Sequence, residues 1–233
     1  MFDPDDIDWL ALSAPAEEPR FDVVFLLHDR FYIGDPNDGA EIADPSRYVP
    51  IASPGTDSVL SVTDVAGREQ ELALHYRRII EMAAKHRRPF SQIRHYFWMR
   101  LILRWRSGET SLPWYDHWLS MTPLLDWLDS AGNGQHWYDV DQGWEMLVRR
   151  RSTHFFVREG DGDGQEALNI QVEREPLLRS IAPLRQQTTA AIAMLTEHLG
   201  ADVWSAYLYQ PNVRFGTKDW SPHAKPKKID RLK

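Results

Sequence analysis

Between Phe90 and Trp105 almost every position is apolar. Ile93, Tyr96, Phe97, Trp98, Met99, Leu101, Ile102, Leu103 and Trp105 leave little polar face, and only Arg94, Arg100 and Arg104 interrupt them with charge. A stretch like this has to be buried on every side, so the rest of the chain must be arranged around it. Read as a helix, it predicts a central buried helix over 90–105, closed by Gly108. It is too short to cross a bilayer, which needs about 20 apolar residues.

The flanking sequence supplies the covering layers. Arg68–Arg88 is amphipathic at the helical period: Leu72, Tyr76, Ile79, Ile80, Ala83 and His86 share one face, and Arg77, Arg78, Glu81, Lys85 and Arg88 the other. Pro89 ends that helix, because proline disfavours helical geometry in the residue before it. Phe21–Leu27 is a β-branched, apolar run and predicts a buried strand, with Phe31–Ile33 as its hairpin partner. Short strands are expected near Tyr48–Ile51 and Val59–Val62, among turn residues. Thr122-Pro123 resembles a helix start, so two short helices are predicted, Pro113–Met121 and Pro123–Ser130. Gly143–Arg151, Thr153–Glu159 and Ala167–Glu173 read as strands around a Gly-rich turn at 160–164. Pro176 and Pro183 each suit a helix start, Gly200 suits a helix end, and Val203–Tyr209 reads as a last strand.

These elements predict an α+β fold: a short N-terminal β region, a central buried helix with flanking helices, a β-hairpin region and a C-terminal helix. The expected organisation is an N-terminal arm at 1–20 with Trp9 and Leu10 as anchors, a single domain at 21–216, and a basic tail at 217–233. Ten Trp provide for a large core, since each buried aromatic removes about 150–250 Å² from water. There is no Cys, so neither a disulfide nor a thiolate metal site can form. The acidic N-terminus lacks the features of a secretory signal, and a cytoplasmic protein without membrane association is expected.

Charge is segregated within the net −7. Met1–Asp64 carries fourteen acids against three Arg, and Tyr76–Arg106 has nine Lys and Arg against Glu81 alone. Ser107–Glu145 has seven acids and no Lys or Arg, interleaved with Trp114, Trp118, Trp127, Trp137 and Trp144. Thr217–Lys233 is basic again. Blocks of opposite sign are expected to pair with each other, which weighs against nucleic acid as a partner of the basic helix.

Short motifs carry little chemistry. His28-Asp29 has the form of a metal-binding doublet but lacks further ligands, and it falls on a predicted hairpin. Asp161-x-Asp163 starts like a calcium loop, yet Glu166 stands where glycine is required. Arg149-x4-His154 has a spacing found in helical ribonucleases of the HEPN type but falls in predicted strand. Glu173 and Glu175 read as a solvated rim. No phosphate-binding glycine loop and no Gly-x-Ser-x-Gly elbow is present. His136-x-x-Asp139-x-Asp141 is the one cluster that could hold a divalent ion or act as acid and base.

The expectation is therefore a non-catalytic protein-binding protein, of the inhibitor or immunity type, whose acidic aromatic surface covers a basic toxin or enzyme. Trp137, Tyr138, Asp139, Asp141 and Trp144 are the candidate partner-binding residues: aromatics anchor such interfaces and carboxylates speed encounter with a basic partner. No catalytic residue, metal or cofactor is expected. An enzyme with its site near His136, Asp139 and Asp141 is the alternative, and an accessory subunit of a larger assembly the third reading.

Overall fold

The computed structural model describes residues 2–3, 7–28, 31, 59–112, 115–130, 136–141, 143–161 and 166–205. In chain order the described elements are β1 (Ala14–Ala16), β2 (Arg20–Leu26), β3 (Val59–Ser61), α1 (Glu69–Lys85), α2 (Phe90–Ile93), β4 (Met99–Trp105) and β5 (Gly108–Leu112). There follow α3 (Trp118–Asp129), β6 (His136–Asp141), β7 (Trp144–Arg150), β8 (His154–Asp161), β9 (Glu166–Glu173) and α4 (Arg174–Leu199). One sheet has the order β1-β9-β8-β7-β6 and the other β3-β2-β4-β5. The class is α+β.

The central helix over Phe90–Trp105 does not form. One turn of helix, α2, is followed by a 3-10 turn over Arg94–Phe97 and then by strand β4. β4 lies between β2 and β5 and buries Met99, Leu101, Ile102 and Leu103. β4 does alternate, with Met99, Leu101 and Leu103 buried on one face and half-buried Arg100 and Arg104 flanking buried Ile102 on the other, but so short an apolar run directly after a helical turn is not told from a buried helix by periodicity. Gly108 caps no helix. It opens β5 where the β4–β5 hairpin closes, and a Cβ placed there would come within 2.8 Å of the Trp105 ring.

Three smaller expectations also change. α3 is one helix with Pro123 inside it, not two. α4 likewise starts once, at Arg174, with Pro176 in its first turn, where a backbone N–H is not needed, and it continues through Pro183. Residues 203–205 are not strand, because Trp204 and Ser205 donate their N–H groups to Asp202 Oδ1 at 3.1 and 2.9 Å. The expected strands at 32–33 and 48–51, and the tail at 217–233, lie outside the described residues. Helix α1, strands β2, β3, β7, β8 and β9, and the helix end at Gly200 (φ +75°) form as the patterns predict.

The chain divides into two compact units. The first comprises 1–22, 101–115 and 120–185. Its five-stranded sheet is antiparallel except where β1 joins β9 in parallel, Ala14 opposite Ile170. One face of this unit packs Met146, Val148, Phe155 and Val157 with Leu103, Leu112, Leu124 and Leu128 around a void of about 10 Å³. That is room for one water at most, so this core is closed. On Leu147, from the opposite side of β7, sit Phe2 and Trp9, with Tyr138 and Phe156 against them. Arg106 pairs with Glu18 at 2.6 Å and with Glu17, and Arg104 reaches Asp22 at 3.4 Å and Glu109 at 3.1 Å. Here the basic and acidic blocks do neutralise each other.

The second unit comprises 23–100, 116–119 and 186–233. Its core is aromatic. Tyr76 of α1 stacks on Phe97 at 5.1 Å, and Trp204 meets both rings edge-on at 5.0 and 5.7 Å. His75 is buried beside them, and burial together with the nearby His28 pushes its imidazole down to about 4. Helix α1 ends in a Schellman turn. Arg88 donates its N–H to the Ala83 carbonyl at 2.8 Å and Arg87 to that of Ala84 at 3.2 Å. Arg87 occupies the left-handed position of that turn (φ +55°), where glycine is the usual residue. An L-residue with a side chain pays about 1–2 kcal/mol for this conformation.

Candidate docking edge

Strand β6 ends the five-stranded sheet, paired with β7 on one side and with no described strand on the other. Gly143 (φ +86°) permits the tight return into β7. The register sets Trp137 opposite Val148, Asp139 opposite Met146 and Asp141 opposite Trp144. Because side chains alternate along a strand, Trp137, Asp139 and Asp141 share one face, and His136, Tyr138 and Val140 take the other.

This alternation separates the expected cluster. His136 does not share a face with Asp139 and Asp141, and no group of three metal-binding side chains occurs among the described residues. The aromatic candidates are engaged internally. Trp137 Nε1 donates to the Tyr115 hydroxyl at 3.1 Å, and that hydroxyl donates to Asp139 Oδ2 at 2.7 Å. The Trp137 ring also lies 6.1 Å from Trp127 of α3. On the other face the Tyr138 hydroxyl donates to Glu145 Oε2 at 2.9 Å, and the same oxygen takes the Phe2 N–H. Burial, then the Glu145 bond and charge, push the Tyr138 phenol up to about 12. Burial alone would raise Glu145, but its donors outweigh that and hold the carboxyl below its ordinary value. Trp144 is half-buried.

What remains open is the rim of the strand. Val140 is 48% exposed, one of few exposed large apolar side chains among the described residues, and His136 and Asp141 are exposed beside it. The Val140 N–H meets Asp139 Oδ1 at 3.0 Å in a solvent-exposed contact. In an antiparallel pair, residues alternate between directing their backbone groups at the partner strand and away from it. The Val140 contact places that residue in the outward set, together with Tyr138 and His136.

The other motif residues separate as well. Arg149 is buried opposite Phe156 in the β7–β8 hairpin, so the Arg149/His154 spacing belongs to strands. His28 directs Nε2 at the His95 carbonyl at 3.2 Å, while Asp29 lies outside the described residues. A shallow depression of about 520 Å³ gathers Thr153, His154, Glu173, Arg174, Glu175 and Arg179. Its charges are mixed, and Arg179 is held by Glu175 at 2.6 Å.

The sequence alone does not single out Glu159. Glu159 follows Phe155 and Val157 on the inward face of β8 and is 4% exposed. Thr110 Oγ1 donates to its Oε2 at 2.7 Å, while Oε1 has no hydrogen-bond partner. Burial pushes this carboxyl up to about 7, against the lowering effect of Thr110. Its period-two spacing from Phe155 and Val157 was the available signal.

No protein-family model matches the chain, and the comparisons with curated proteins and with solved structures found no match.

Proposed function

We propose that this protein is a protein-binding module whose β6 edge receives an extended, basic segment of a partner by strand addition. The observation that carries this is the edge itself: exposed outward backbone positions at His136 and Val140, an exposed valine between two aspartates, and no described strand beyond. Main-chain hydrogen bonds would supply affinity, and alternate side chains specificity. Asp139 and Asp141 select the charge of the incoming strand. A second β6 would bring carboxylates against carboxylates, whereas a strand of alternating Lys and apolar residues would pair with them. A binder of this kind suits the inhibitor or immunity role expected for an acidic surface facing a basic toxin or enzyme. Trp137, Tyr138 and Trp144 would then shape the edge from within the fold.

A fluorescein-labelled octapeptide of alternating Lys and Val, with its Glu and Val counterpart, tests the reading by anisotropy. The Lys peptide should bind and weaken with salt, since rim charges are screened beyond about 10 Å near 0.1 M ionic strength. Val140→Pro should remove binding while leaving the circular dichroism unchanged, because proline is tolerated where the N–H points out of a sheet edge. Asp141→Lys should weaken binding at least tenfold. Equal binding of both peptides, or full binding by Val140→Pro, refutes strand addition at β6.

A further inference from the structure

The end of α1 presents a second surface that the docking edge does not use. From Met82 to Gly108 the chain contains no Asp or Glu. Within that span Lys85, Arg87 and Arg94 are exposed and Arg88 is half-buried, its guanidinium donating to Gln92 at 3.1 Å. Lys85 and Arg87 form no ion pair among the described residues, whereas Arg68 and Arg78 of the same helix are held by Glu71 and Glu81.

Arg87 is the informative residue. It stands in the left-handed position of the helix-ending turn, where glycine would be the unstrained choice. A cation near a helix C-terminus gains something from the helix dipole, but at an exposed site that gain is smaller than the conformational penalty. Strain kept at an exposed position points to a use for the side chain held there. In the same span Ser91 and Gln92 are exposed donors, and apart from Pro89 the exposed side chains are polar or charged, with no exposed large apolar residue among them. Protein interfaces rely on buried aromatic or apolar anchors, while nucleic-acid contacts are polar and strongly positive. Arginine also matches phosphate with a two-pronged donor geometry.

We infer that the Lys85–Arg88 helix end is a contact surface for the phosphodiester backbone of a nucleic acid. The contact is to phosphates and is therefore independent of base sequence.

The test uses the full chain and a labelled 20-mer of mixed sequence, as duplex and as single strand, followed by anisotropy between 50 and 200 mM NaCl. With three phosphates neutralised, affinity should fall roughly 40-fold for the duplex and roughly 20-fold for the single strand over that range. Arg87→Gly should lower the salt slope by about one and weaken binding severalfold. The same substitution should raise the melting temperature by a few degrees, because it relieves the turn. Arg78→Gln removes the same charge from a residue already held by Glu81 and should leave binding within about twofold. Absence of binding to either form overturns the inference, as does an Arg87→Gly variant that binds no worse than Arg78→Gln or that melts lower than the parent. Competition by polyglutamate as effective as by unlabelled oligonucleotide would assign the surface to an acidic protein and overturn it too.

Discussion

Glu159 should make the fold less stable as pH rises through neutrality, and the size of the effect follows from its surroundings. The carboxyl titrates near 7 in the folded protein against an ordinary value of 4.5. The folded state therefore binds the proton more tightly than the unfolded state. Stability associated with the protonated group is fully present below about pH 4.5 and is lost as pH rises through about 7. Each pH unit between these values is worth about 1.36 kcal/mol, so the loss above pH 8 comes to roughly 3 kcal/mol. Glu159→Gln keeps the shape and cannot ionise. Its urea unfolding free energy should match the parent near pH 5 and exceed it by roughly 2–3 kcal/mol at pH 8. Thr110→Val removes the only hydrogen bond to this carboxylate among the described residues, so it should extend the parent's decline to higher pH, and it should leave no such effect in a Glu159→Gln background. Parallel stability profiles for parent and Glu159→Gln from pH 5 to 8 would refute the reasoning.

Further outcomes are expected elsewhere. His75 is held down to about 4 by burial, then by His28; stability should fall as pH drops from 6.5 towards 4, by up to about 1.4 kcal/mol per pH unit, and His75→Gln should flatten that decline in urea titrations. Leu101→Ala should cost about 2–5 kcal/mol, since Leu101 is fully buried in β4; a melting temperature equal to the parent's would place β4 outside the core. Gly108→Ala should lose about 1–3 kcal/mol as its methyl meets the Trp105 ring, read by thermal denaturation. Tyr115→Phe should cost about 1–3 kcal/mol by leaving Trp137 Nε1 and Asp139 without their shared hydroxyl, and a matched loss in Trp137→Phe with no additivity in the double variant would locate the effect in that chain of bonds.

How far the sequence carried depended on whether burial was one-sided. Helix α1 was legible because one face is buried and the other wet, so Leu72, Tyr76, Ile79 and Ala83 trace the helical period. β8 was legible for the same reason at period two. β4 was not, because its alternation of Met99, Leu101 and Leu103 with Arg100 and Arg104 is short, broken by buried Ile102 and runs straight on from the apolar turns at 90–97. The prolines at 123 and 183 misled in the other direction: each is a good helix start, yet each lies within a helix. At the candidate edge the acidic composition was visible, but the face on which each residue falls was not. Knowing that 136–141 is strand separates His136 from Asp139 and Asp141 by alternation alone, and the pairing with β7 sets Tyr138 near Glu145. Glu159 was marked only by its period-two spacing from Phe155 and Val157, and Arg87 was hidden because nothing in one sequence says that a φ is positive.

The parallel pairing of β1 with β9 has a consequence for how the chain is made. Ala14 cannot meet Ile170 until the ribosome has added some 150 further residues, which at ~5–20 residues per second takes roughly 8–30 s. Throughout that interval the nascent chain carries Trp9 and the β1 backbone without their final partners, next to the most acidic stretch of the protein. Like charge there would keep neighbouring nascent chains on a polysome apart, so the acidity of residues 1–64 can serve solubility during synthesis, before β9 exists to receive β1.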